Sequence, residues 1–435
     1  MIKSTIAILA FSVAFLFAGP VSYYGELKAS GNKLIGSKTG NPVQVKGVSL
    51  GWSNSTWESA RFFNKTTVDA MIDGWKAEVI RTPYGQDDAS NLARVKVAID
   101  AALAKDVYVV IDWHSHNAHS QTAAATKFFS QMARDYGDKD NVIFEIYNEP
   151  TAENSGNWTN IKNYANTVVD TIRKYSDNLI IVGTPNWCQD IDVVASSPIT
   201  GNNRGNIAYV LHFYAHSHNL TLGRSAGTNK VFRTAVLEVL NANLPVFVSE
   251  YGTTHSDGGC YPTQYNNCQN NYNTHNAANS DAWHAFMDEN KISSVAWNIN
   301  DKYEGSAFFG TVNGGTFTQT AANFTNQNMM TNSGKYIFGK LADWALTAEW
   351  RNPPPVSILS KPVAVSNMFV VNNSVVVQAF DAAELKIFNL RGSLLRKVNL
   401  EKGSHTVSLS DMPKGVYIAK ISINNQMQVL NVPIK

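Results

Sequence analysis

Two glutamates, Glu149 in FEIYNEP and Glu250 in VSEYGT, each close an apolar run of the kind that forms a buried strand. A carboxylate is costly at the edge of a core. A pair of them is the tool for splitting an acetal: one gives a proton to the departing sugar oxygen while the other attacks or stabilises the anomeric carbon. Carboxyl groups about 5 Å apart make the second a nucleophile and retain configuration, whereas roughly 6.5 to 9.5 Å leaves room for a water and inverts it. The sequence leaves that gap open, and either glutamate taken singly could pair with a loop arginine or cap a helix. Other chemistry-bearing residues close similar runs: Arg81 in VIRTPY, Asp112 and His114 in IDWH, Asn148 beside Glu149, Trp187 in TPNW, His212 and Tyr214 in LHFY, and Trp297 in AWN. Asp112 and His114, two apart, share one side of a strand and read as a structural hydrogen-bonded pair.

The runs that carry these residues number eight and begin near 44, 77, 107, 142, 179, 207, 245 and 293, about 36 residues apart. That interval holds a strand, a helix and two loops. Helical stripes lie between them. In WTNIKNYANTVVDTIRKYS, Ile161, Tyr164, Ala165, Val168, Val169 and Ile172 recur every three or four residues, and Leu92, Val95, Ile99 and Ala102 do the same in LARVKVAIDAALAKD. Near-continuous apolar strands alternating with amphipathic helices imply a parallel sheet, and eight such units imply a closed (β/α)8 barrel with its chemistry where the strands end. An earlier hairpin with turns at Gly31-Asn32 and Gly40-Asn41 is placed to plug the opposite end of the barrel.

The remainder of the 435 residues sets the context. Lys3 precedes an apolar run from Ile6 to Phe17 and small residues follow, so residues 1–21 read as a secretory leader, the run being shorter than the roughly 20 residues that span a bilayer. A net charge of +2 gives no field for nucleic acid or an anionic membrane, and points to a neutral partner. Three cysteines do not make a disulfide scaffold, although Cys260 and Cys268 lie in one loop-like stretch where an oxidising compartment would allow them to pair, leaving Cys188 as a partly buried small residue. The barrel is expected over 22–350, a Pro-rich linker over 351–360, and a small antiparallel β-sandwich over 361–435, where short β-branched segments replace helical stripes.

Taken in order, VIRTPYG, VVIDWHSHN, FEIYNEP, IVGTPNWCQD, LHFYA, VSEYGT and WNINDKYEGSA make residues 22–345 resemble glycoside hydrolase family 5, within it the bacterial endo-β-1,4-glucanases. The resemblance implies that Glu149 is the acid/base, Glu250 the nucleophile and the reaction retaining. It implies supporting roles for Arg81, His114, Asn148, His212, Tyr214 and Trp297, and sugar contacts from Tyr84, Trp187, Lys302 and Glu304. Physical reasons accompany these roles. Arg81 would keep a nucleophile ionised, Asn148 would reach a sugar 2-hydroxyl, Tyr214 and His212 would orient the two glutamates, and Trp297 would offer a flat face to a pyranose. The segment SLGWSNSTWESARFF departs from the family in lacking a histidine, so Trp52 and Trp57 compete for one binding position. The loop His255–Ala278 looks like an insertion.

Other classes remain to be weighed. His114, His116, His119, His212, His216 and His218 supply enough imidazole for a zinc hydrolase, but no acidic bridging ligand accompanies them, and no metal or other cofactor is expected. A non-catalytic carbohydrate-binding barrel is opposed by the complete acid and nucleophile positions. The tail, with VVVQAFDAAELKIFNLRGSLLRKVNL and GVYIAKISI, resembles the C-terminal sorting domains of type IX secretion. A carbohydrate-binding module is the alternative, which scattered Phe369, Phe380, Phe388 and Tyr417 without a tryptophan argue against. The expectation is a secreted endoglucanase that cleaves internal β-1,4 bonds and touches a secretion machinery through its tail. Mannan, xyloglucan and mixed-linkage glucan stay open as main substrates.

Overall fold

A hairpin of β1 (Leu27–Ser30) and β2 (Lys33–Gly36), turned at Gly31-Asn32, precedes eight parallel strands that close into a barrel. They are β3 (Lys46–Leu50), β4 (Val79–Tyr84), β5 (Tyr108–Trp113), β6 (Val142–Glu145), β7 (Ile180–Val182), β8 (Ile207–Tyr214), β9 (Val246–Gly252) and β10 (Ser294–Ile299), with β10 paired to β3. These are the eight runs read from the sequence. The computed structural model describes residues 19–57, 59–88, 90–222, 230–257, 275–302, 304–310, 316–353, 366–371, 373–379, 381–390, 392–423 and 426–434. Cys260 and Cys268 lie outside the described residues. Among the described residues no helix is long and apolar enough to cross a membrane.

Inward-facing side chains fill the barrel from below. Val79, Tyr108, Val110, Ile143, Ile181, Val210, Phe247 and Val295 form one buried cluster, which the hairpin and the segment after it close with Leu27, Leu34, Val43 and Val45. Tyr108 adds a hydrogen bond to the Gly25 carbonyl at 2.6 Å, so the hairpin plugs this end by packing and by a buried polar tie. Pro20 and Val21, read as the end of the leader, are buried in this unit, and the Val21 N–H donates to the Asp106 carbonyl at 3.3 Å. Outside the strands, the helix Trp158–Ile172 starts at an Asn157 cap and buries the stripe from Ile161 to Ile172. The last helix, Asn332–Thr347, is anchored through Glu78, a buried carboxylate that accepts from the indole N–H groups of Trp344 and Trp350.

The chain divides into two compact units at Asn352/Pro353. The second holds two antiparallel sheets. One orders β11 (Ser366–Val371), β12 (Ser374–Ala379) and β15 (Gly403–Ser408); the other orders β14 (Leu394–Leu400), β13 (Ala383–Phe388), β16 (Gly415–Ile423) and β17 (Gln426–Ile434). Val375 and Val377 from the first sheet and Leu385, Ile387, Ala419 and Ile421 from the second make its core. Strand β14 exposes Leu394 and Leu395 and then alternates, with Val398 partly buried and Leu400 buried against the core of this unit.

Candidate active site

Each barrel strand that serves the site steps from apolar to polar as it rises. Val79 gives way to Arg81, Val110 to Asp112, Ile143 to Glu145, Val210 to His212 and Val295 to Trp297, always two residues on and therefore on the same inward face. Strand β9 breaks that rhythm. Val210 pairs with Phe247 but His212 pairs with Glu250, so three residues of β9 span two of β8, and the pairing with β10 slips at the same point. This bulge lets Ser249 and Glu250 both reach the site, whereas strict alternation would turn one of them away.

Arg81 is wholly buried and ties the cluster together. It donates to Glu145 from Nε at 2.7 Å and Nη2 at 3.2 Å, to Glu250 Oε2 from Nη1 at 2.8 Å, and to Asn148 Oδ1 from Nη2 at 2.6 Å, with Asp112 Oδ2 at 3.0 Å. The other Glu250 oxygen accepts from the Tyr214 hydroxyl at 2.8 Å. Gly252 permits this, because a Cβ there would lie 2.3 Å from the Tyr214 ring. His212 bridges from Glu149 Oε1, 2.9 Å from Nδ1, to the Ser249 hydroxyl, 2.9 Å from Nε2, and Ser249 donates to Glu145 at 2.6 Å. A carboxylate oxygen of Glu149, one of Glu250 and a ring nitrogen of His212 all lie within 4.8 Å of one another.

Four buried carboxylates against Arg81 and His212 cannot all ionise cheaply. Burial and the charges of Glu145 and Glu250 lift Asp112 well above the usual range despite Arg81. Burial opposes ionisation of Glu145 too, but the charge of Arg81 and the contact with His212 outweigh it and hold Glu145 low. Burial likewise works against a charge on His212, yet Glu145 and Glu149 raise it to about 9. Burial and the charge of Glu149 push Glu250 up to about 7, while hydrogen bonds from His116 and His212 overcome burial and hold Glu149 down at about 2. Carboxylates this close titrate as a pair, so between those values the two share one proton. His212, doubly protonated and engaged at both nitrogens, is a poor metal ligand, although it and the two glutamates have the spacing for one.

Residues 37–303 match the family model for cellulase of glycosyl hydrolase family 5. The chain belongs to that family. It is 35% identical over 352 residues to endoglucanase Z of Dickeya dadantii, covering 79% of this chain and 72% of that protein, and 35% identical over 303 residues to endoglucanase A of Butyrivibrio fibrisolvens, covering 66% and 63%. Among solved structures, the catalytic domain of Thermobifida fusca endoglucanase Cel5A superposes with a TM-score of 0.60 at 29% identity, covering 74% of this chain and 99% of that one. Residues 364–435 match the secretion system C-terminal sorting domain. The protein is thus a cellulase-type glycoside hydrolase, and its sorting domain marks it as extracellular or cell-surface associated.

The walls of the family 5 site are aromatic. The His114 ring lies parallel to Trp297 with centroids 5.4 Å apart, and Trp52 leans on His114 at 4.9 Å. Trp57 stands 6.2 Å from Trp52 and 6.5 Å from Trp297, so both candidate tryptophans join one wall. His114 takes Asp112 at 2.7 Å through Nδ1, and burial and Arg81 keep it neutral. The indole N–H groups of Trp52, Trp57 and Trp297 and the amide of Asn148 are buried with no hydrogen-bond partner among the described residues, as expected of donors kept for a hydroxyl-rich ligand. Lys302 Nζ lies 3.5 Å above the Trp57 ring, and Glu304 accepts from Asn298 and Asn300 while burial and Asp257 raise it to about 7.

Trp187 stands at another edge, 39% exposed. Asn186, Trp187 and Cys188 all adopt positive φ, a costly left-handed run held by Trp187 N–H on the Pro150 carbonyl at 2.9 Å and the Cys188 thiol on the Asn148 carbonyl at 2.9 Å. Cys188 is wholly rather than partly buried because it makes this bond under the strand end. Tyr84 is not brought to the carboxylates. Three residues beyond inward-facing Arg81, it falls on the outer face and stacks on Phe128 at 4.6 Å. The sequence reading missed Glu145, Ser249 and the Glu149 contact of His116. A glutamate within the apolar VIFE was the one available signal for the first of these.

Proposed function

We propose that the protein is a retaining endo-β-1,4-glucanase that cleaves internal bonds of cellulose and related β-glucans by double displacement. The observation that carries this reading is that one carboxylate oxygen of Glu149 and one of Glu250 lie within 4.8 Å of each other, which supports the close carboxyl spacing, about 5 Å, of a retaining site. In the first step a Glu250 oxygen bonds to the anomeric carbon while the glycosidic bond breaks and the leaving oxygen takes the proton of Glu149. In the second, water gives a proton to Glu149 and its oxygen to the carbon as the Glu250 ester breaks. Arg81 and Tyr214 hold the nucleophile from both oxygens. The Trp52, Trp57 and Trp297 wall is suited to pyranose faces on one side of the scissile bond, and Trp187 on the other. The endoglucanase names of the relatives support β-1,4-glucan as the substrate. We place the end of the leader before Pro20, which packs in the barrel unit.

Proton NMR of cello-oligosaccharide hydrolysis should show the β-anomer of the new reducing end first; an α-anomer appearing first refutes double displacement. Glu149→Gln and Glu250→Gln should each lower kcat on soluble β-glucan by at least about 10²-fold, the lower range of a general acid's contribution, whether or not a chelator is present.

A further inference from the structure

His116 sits on the loop after β5 with its Nε2 3.5 Å from Glu149 Oε2, while His212 takes the other oxygen of that carboxylate at 2.9 Å. The backbone fixes this meeting. Glu149 N–H donates to the Ser115 carbonyl at 3.3 Å, and the Tyr147 hydroxyl donates to the carbonyl of His116 at 3.2 Å. The His116 ring stands edge-on to Trp187 at 5.0 Å and lies 5.9 Å from Trp52, so it joins the two aromatic walls across the acid. Its side chain is 35% exposed and water reaches it. The charged groups facing it are Glu149, Glu250 and Asp257, and His114 is the neighbouring imidazole.

We propose that His116 is a positioning residue that holds a proton for Glu149 and cedes it when a sugar covers Trp187. The inference rests on Glu149 as the acid. The free site has the wrong distribution for the first step, with Glu149 ionised between two imidazoles. Contact with Glu149 favours the charged form of His116 although burial opposes it. A sugar stacked on Trp187 removes the water that solvates this ion pair, and a dry site favours the neutral pair over the charged one. The Nε2–H bond of His116 then breaks, its electron pair stays on nitrogen, and an O–H bond forms on Glu149 Oε2. That proton goes to the leaving oxygen; the one taken from water in the second step returns to Glu149, and to His116 when product departs.

The test compares the full chain with H116Q, whose amide can still donate to Glu149 Oε2 but has no proton to give. On soluble β-glucan, H116Q should lose kcat by about 10-fold or more with KM little changed, a fraction of a general acid's contribution. Glycosylation by dinitrophenyl cellobioside, whose leaving group needs no proton, should be unchanged, which also reports a folded site. Wild-type kcat on glucan, or an equal loss on both substrates, overturns the proposal. E149Q separates the two readings: if it keeps glucan activity, the acid assignment fails, whereas an inactive E149Q beside an unimpaired H116Q sinks the role of His116 alone.

Discussion

Arg81 is the residue on which the charge balance of the site turns. Its guanidinium fork meets Glu145, Glu250 and Asn148 with three separate nitrogens, a geometry that a lysine ammonium cannot copy. Removing the cation leaves buried carboxylates uncompensated, which costs about 3–5 kcal/mol for a broken buried pair. Arg81→Met should therefore lower the urea midpoint substantially and abolish turnover. Arg81→Lys should keep more of the stability than of kcat, since it restores charge without the fork. Equal recovery of both would show that charge alone matters.

At the scale of elements, the bulge in β9 does what no single side chain can. It places Ser249 under His212 and Glu250 beside Arg81, while Gly252, past the bulge, leaves room for the Tyr214 ring. Gly252→Ala should displace that ring and cost kcat about as much as Tyr214→Phe. The double variant should be little worse than either alone, because both act through one hydrogen bond. Additive losses in that cycle would mean that the glycine serves something other than the tyrosine. The left-handed run at Asn186–Cys188 works in the same way, setting Trp187 at the edge of the site by backbone shape and two hydrogen bonds to the segment after β6 that carries Glu149.

For the whole molecule, the division at Asn352/Pro353 falls just beyond Trp350, whose indole completes the hydrogen bonding of Glu78 at the base of the barrel. Each unit has its own apolar core. A chain ending at Asn352 should therefore melt within a few degrees of the catalytic unit in the full protein and hydrolyse soluble β-glucan within about twofold of it, while failing to be sorted to the outside of its cell. Ending the chain before Trp344 removes both indole donors to Glu78 and leaves it only the Lys46 N–H at 3.4 Å, and the under-satisfied buried carboxylate should cost about 1–3 kcal/mol in thermal unfolding.

Periodicity alone determined the eight strands, the helical stripes and the shared side of Asp112 and His114, because a side chain's face follows from the strand's two-residue repeat and burial demands apolar neighbours. Glu149 and Glu250 were legible for the same reason, as carboxylates at strand ends where apolar runs stop. What the linear chain did not contain was the register between strands. A bulge is one extra residue defined only against a partner, so the joint access of Ser249 and Glu250 to the site became visible only when β9 lay beside β8 and β10. The separation of the two glutamates, the gathering of three carboxylates on one guanidinium and the approach of His116 to Glu149 are likewise distances between remote segments. Closure of the barrel sets them, and local sequence cannot.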